Sequence, residues 1–249
     1  MNKHFDFKRF YQFLKMELSE KIGFILKLAA ILCLIIIVFW LLGKFFDILA
    51  GKSQEVISIS SRGNYLVFCY VLTALVAPFG MYKNINHPKK GVSYASLPVS
   101  INEKFLSMLI ITIVVTPLVV VASFFCVDFI MVFIDICDSL IVSDYFLTSP
   151  LSNIFMTVIG FQAMFIFGNS FFIKNKAVKT ILSIALLYVV ISVIVTIFLH
   201  KLGANNMNNW YWISNNQMLI LNIVKWITLV FHLCFLVATY YRMKTQQYK

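Results

Sequence analysis

Residues 22–43, IGFILKLAAILCLIIIVFWLLG, carry a single charged side chain, Lys27. About 20 consecutive apolar residues are what a helix needs to cross the hydrocarbon core of a bilayer. Backbone placed there must satisfy its own hydrogen bonds, and a helix does so within one segment. The pattern recurs at roughly 65–82, 104–127, 152–173, 180–199 and 218–241. Composition agrees, with 61% of the 249 residues hydrophobic and only 12% charged, where a soluble domain sits near half and a quarter. The expected fold class is an all-α integral membrane protein with six transmembrane helices. The connections are too short to hold a soluble domain, so residues 1–249 read as one membrane domain.

Lys and Arg set the expected orientation, because loops rich in them stay on the cytosolic side. Lys3, Lys8, Arg9, Lys15 and Lys21 precede the first span. Lys83, Lys89, Lys90 and Lys104 follow the second, Lys174, Lys176 and Lys179 the fourth, and Arg242, Lys244 and Lys249 the sixth. The alternate loops hold only Lys44, Lys52, Arg62 and Lys201. N- and C-termini are thus expected to be cytosolic, which six crossings require. The net charge of +11 is then a collar facing anionic headgroups rather than a nucleic-acid surface. The loop at 128–151 carries Asp128, Asp135, Asp138 and Asp144 and no base, as an external loop can. The first apolar run is long, follows a polar start and lacks a small-residue cleavage pattern, so no cleaved signal peptide is expected.

Before the first span, FDFKRFYQFLKMELSEK places Phe7, Phe10, Tyr11, Leu14 and Leu18 at helical spacing. Bases and Glu17 fall mostly elsewhere. Residues 1–21 are therefore expected to form an amphipathic interfacial helix, either an anchor or a surface for a cytosolic partner.

Catalytic patterns are wanting. Gly51-Lys52-Ser53 matches the end of a phosphate-binding loop, but that loop needs a Gly where Phe46 stands. His4, His87, His200 and His232 have no ligand spacing. No acid falls in mid-span, which argues against an intramembrane protease and weakens a proton-coupled carrier. The expectation is a chain without a catalytic, metal or cofactor site.

Polar groups inside the spans remain. Gln162, Asn169 and Asn222 can hydrogen-bond between helices, and Gly160 and Gly168 would let helices approach. Lys225 lies deep enough to need the outer headgroups or a partner such as Asp128. Helix packing is the ordinary role for all of these, substrate contact the other. Cys126 and Cys137 can pair in an oxidising exterior, unless a continuous helix holds them three turns apart. Trp210, Tyr211 and Trp212, in the segment 200–217, suit either an aromatic belt or a short re-entrant element.

The most structured polar stretch is YASLPVSINEKF, from Tyr94 to Phe105. Pro98 forces Leu97 out of helical geometry, and Ser100 with Glu103 has the S-x-x-E spacing of a capping box. A sharp start to the third span follows. Leu97-Pro98-Val99-Ser100 with Glu103-Lys104-Phe105 resembles the LPxSxxEK segment of bacterial permeases of the ABC-2 export class, which share this length and topology and an N-terminal amphipathic helix.

The resemblance implies that Lys83 to Lys104 is a coupling region, with Lys89, Lys90, Tyr94, Leu97, Pro98, Ser100 and Glu103 its candidate residues. It also implies two copies of a cytosolic ABC ATPase subunit that bind ATP and Mg, a second permease chain, identical or sister, and residence in the bacterial cytoplasmic membrane. The exported molecule would be lipid-like, peptide or drug-like. The competing expectations are a non-transporting assembly or immunity protein, then a secondary carrier.

Overall fold

The computed structural model describes residues 5–51, 59–83, 85, 91, 94, 96–135, 151–201 and 217–246. Helix α1 (Phe7–Leu49) begins where the Asp6 carboxylate accepts the Lys8 and Arg9 amides at 2.9 and 3.5 Å, an N-cap. It stops at Gly51, whose φ of 62° is the left-handed geometry that ends helices and that glycine adopts without strain. The glycine of the GKS triplet is thus a helix stop.

With 43 residues at 1.5 Å each, α1 is about 65 Å long. The expected break between an interfacial helix and a first span is not there. One buried stripe explains the continuity, running from Phe10 and Phe13 through Glu17, Ile25, Leu28, Leu32 and Ile36 to Trp40. These positions keep helical spacing, so a single face packs along the whole length.

Helix α2 (Ile59–Met81) brings Ala74 and Ala77 to the core with no exposure, small residues that let helices approach closely. The third expected span is composite. Helix α3 (Ile101–Leu109) leads into a π-helical segment (Ile110–Val115) and then α4 (Thr116–Asp135). Inside this stretch the Thr112 hydroxyl donates to the Met108 carbonyl at 2.6 Å, and the Thr116 hydroxyl to the Ile111 carbonyl at 2.7 Å. Pro117 has no amide hydrogen to give. Together these loosen the regular ladder and accommodate the wider turn, a feature found often at functional sites.

Helices α5 (Leu151–Phe171), α6 (Lys176–Lys201) and α7 (Gln217–Gln246) complete the order. Residues 162–166 of α5 are all buried, so α5 has neighbours on every side; it packs on α2, α6 and α7. Two glycines make room for it. A methyl on Gly160 would sit 2.1 Å from the His232 ring of α7, and one on Gly168 would sit 2.1 Å from Thr180 of α6. The outer faces of α1, α6 and α7 carry exposed Leu, Ile, Val and Phe in long rows.

Among the described residues, five helices are long and apolar enough to cross a membrane: Phe7–Leu49, Gly63–Met81, Ile101–Ile134, Lys176–Ile194 and Trp226–Thr245. Helix α5 has 21 residues and lies at the place of the expected fourth span. This is the architecture of a multi-pass membrane protein.

Candidate functional site

One end of the bundle gathers the start of α1, the end of α2, the start of α3, the α5–α6 turn and the end of α7. Glu103 is its centre. As the third residue of α3 it closes the capping box. The Ser100 amide donates to Oε2 at 2.8 Å, and the Glu103 amide donates to the Ser100 hydroxyl at 3.3 Å. Upstream, the Val99 amide donates to the Leu97 carbonyl at 2.7 Å, a tight turn about Pro98 that redirects the chain into the helix. The cap expected from Ser100 and Glu103 is present in full.

The carboxylate does more than cap. Arg9 donates through Nε to Oε2 at 3.0 Å and through Nη2 to Oε1 at 2.6 Å, while the Asp6 amide donates to Oε1 at 2.8 Å. Each oxygen thus accepts two bonds, and the side chain has no exposed surface. A planar guanidinium meeting a carboxylate at both oxygens fixes orientation as well as distance. The head of α3 is thereby latched to the first turn of α1.

Two turns further along α1, Glu17 forms a second joint. It is almost fully buried and accepts hydrogen bonds from the hydroxyl of Ser107 on α3 and from the phenol of Tyr94 at 3.3 Å. Burial, and then the nearby Glu17 carboxylate, push the Tyr94 phenol well above its ordinary range. Tyr94 therefore stays protonated and remains a donor. Lys104, expected in the solvated collar, is instead wholly buried, with Nζ 5.7 Å from the centre of the Tyr94 ring. The reason is its register: Glu103 turns toward α1, and the neighbouring position falls beneath Tyr94.

The other end of the α2–α3 connection is held from α5 and α6. Asn169 donates to the carbonyls of Pro78 and Tyr82 at 2.8 and 3.1 Å, satisfying acceptors that a helix end leaves open. Lys176 donates to the Lys83 carbonyl at 2.8 Å. On the far side of α3, the Tyr240 phenol donates to Asn102 at 2.7 Å, and its ring lies edge-on to Phe105 with centres 5.5 Å apart.

Set against protein-family models, curated proteins and solved structures, the chain matches none of them.

The remaining expected residues divide cleanly. Phe10 is buried and Leu14 and Leu18 pack partly on the core, whereas Phe7 and Tyr11 are exposed and not part of that face. The packed stripe is centred on Phe10, Phe13 and Glu17, because α1 lies against α3 and α4. Leu97 is partly exposed and Pro98 exposed. Gln162 is buried in mid-bundle and donates to the Thr112 carbonyl at 3.0 Å, within the π-helical segment.

Asn222 is an exposed residue of α7, in the half of that helix away from the α2–α3 connection, and Asp128 is buried on α4. Lys89, Lys90, the Lys225 side chain, all of 136–150 with Cys137, and residues 202–216 lie outside the described residues. Among the described residues no group of three or more His, Cys, Asp or Glu side chains is arranged to hold a metal ion.

Sequence reasoning missed Arg9, Asp6, Glu17 and Ser107 as members of the site. For Glu17 a signal existed, since it stands four residues after Phe13 and seven after Phe10. For Arg9 none did, because its partner is 94 positions away. The arrangement ties the α2–α3 connection and the head of α3 to α1 through Glu103 and Glu17, and the end of α2 to α5 through Asn169.

Proposed function

We propose that the chain is the membrane-spanning permease subunit of a bacterial ABC exporter, driven by ATP hydrolysed on a separate cytosolic subunit. The observation that carries this is the double-sided use of Glu103, one carboxylate capping α3 and clamping α1 at once. A loop that receives force from a partner needs a stiff joint to the helices it moves, and a fully hydrogen-bonded buried carboxylate supplies one.

In this scheme the chain crosses the cytoplasmic membrane six times, with both termini in the cytosol and the start of α1 continuing the first span on the cytosolic side. Two ATPase copies, holding ATP and Mg, dock beneath residues 83–104. Closure of the ATPase pair presses on the connection. Helices α1 and α3 answer together, and the π-helical segment, held by Gln162, gives the point about which the head of the third span tilts. A second permease chain completes the route for a lipid-like, peptide or drug-like molecule.

The test is copurification from native membranes followed by an ATPase assay in vesicles. The expected result is a retained ATPase subunit whose hydrolysis rate depends on this chain and falls to the uncoupled rate in Glu103→Gln. A solubilised chain that retains no ATPase, with no hydrolysis depending on it, would point instead to a membrane protein acting by binding alone.

A further inference from the structure

The same end of the bundle holds a second cationic region, built without acids. No Asp or Glu follows Asp144 in the sequence, so the α5–α6 turn and the end of α7 must find their counter-charge elsewhere. Lys174 in the turn, Lys179 on the first turn of α6 and Lys244 near the end of α7 are exposed. None of them has a carboxylate partner among the described residues.

Arg242 is held differently from these. Its guanidinium carbon lies 5.6 Å from the centre of the Phe171 ring, at the last residue of α5. Contact with a ring face fixes the plane of a guanidinium and costs it none of its donors. Its Nε is buried and has no hydrogen-bond partner among the described residues. A buried donor left without an acceptor is rare in folded proteins, because its lost hydration is not repaid. Arg9, at the same end, shows the alternative: there both donating nitrogens find the oxygens of Glu103.

The α5–α6 turn and the adjoining helix ends at this end of the bundle also expose apolar side chains. Phe171, Ile173, Val178 and Tyr241 are each about half exposed or more, on the turn and the helix ends that bring Phe171 to Arg242. A planar cation stacked on Phe171 with an unpartnered donor, at an end that also carries exposed lysines and apolar side chains, fits a phosphate that brings hydrocarbon with it. We propose that the Arg242–Phe171 corner binds the headgroup phosphate of an anionic phospholipid, with its acyl chains against the turn side chains. The site requires only that the chain spans a membrane, and is independent of any ATPase.

A general collar would attract the same lipids diffusely, so the test separates a site from a field. The full-length protein in a non-ionic detergent is titrated with phosphatidylglycerol or phosphatidylcholine, and bound lipid is counted by native mass spectrometry. The expected result is one tightly held phosphatidylglycerol, weakened at least about tenfold by Arg242→Gln. Arg242→Lys should recover only part of that loss, because an ammonium cannot offer the fork. Lys15→Gln, which removes an equal charge from the exposed face of α1, should leave binding within about twofold, as expected when only screened long-range charge is lost.

Should Arg242→Gln unfold the protein, the Lys174→Gln/Lys179→Gln pair reads the same site and should weaken binding severalfold. Equal weakening by Lys15→Gln and Arg242→Gln would overturn the site in favour of the collar. Displacement of the lipid by excess inorganic phosphate would also overturn it, by assigning the corner to a soluble anion.

Discussion

Two clusters of cations share one end of this bundle and are built on opposite rules. At the α1–α3 side, Arg9 meets Glu103 through two hydrogen bonds, and Lys104 and Glu17 are buried around Tyr94. At the α5–α7 side, Arg242, Lys174, Lys179 and Lys244 have no acid within the described residues. The difference teaches where rigidity is placed. Charges that are paired and dry lock elements together, because separating them strands a buried ion. Lysines left unpaired at the surface lock nothing, and stay available to whatever anion arrives.

The largest effect should come from breaking the paired side. Glu103→Gln keeps the size of the side chain but cannot balance Arg9, so its melting temperature in detergent should fall further than that of any other single change at this end. A double change, Arg9→Gln with Glu103→Gln, leaves no buried charge unmatched while keeping an acceptor at position 103, and should recover part of the loss, which a merely local cap would not do. Next comes Ser107→Ala, which removes a donor from a buried carboxylate and should cost about 1–3 kcal/mol in reversible unfolding. Ser100→Ala loses the cap oxygen but leaves Arg9 on Glu103, and should cost about 1 kcal/mol. At the bottom, Lys174→Gln with Lys179→Gln should leave the melting temperature in zwitterionic detergent unmoved. A drop there as large as that for Ser107→Ala would erase the distinction between the two sides.

The parts of this architecture that were legible in the sequence are those set by length or by neighbours in the chain. Long apolar runs announced the helices, since crossing a bilayer demands them. Ser100 and Glu103 announced the cap, since all its atoms lie within four residues. The latch was not legible, because nothing near Glu103 names Arg9 as its partner. The continuity of α1 was hidden for a related reason. Composition changes near residue 21, but the packed stripe does not, and it is the stripe that decides where a helix bends. Lys104 misled because a lysine in a polar loop usually meets solvent, whereas this one is covered by Tyr94. Gln162 and Asn169 were recognisable as links between helices. Their targets, a π-helical carbonyl and the end of α2, depended on the tertiary fold.

The central claim is that α1 and the head of α3 form one body through Glu103. Pulsed electron resonance between spin labels at Tyr11 and Leu106, both exposed, measures it without any partner. The expected result is a single narrow distance distribution in the wild type, broadened or split in Glu103→Gln and narrowed again by the Arg9→Gln/Glu103→Gln double change. An equally narrow distribution in Glu103→Gln would mean that α1 and α3 are held together by other contacts, and that the latch is not the joint.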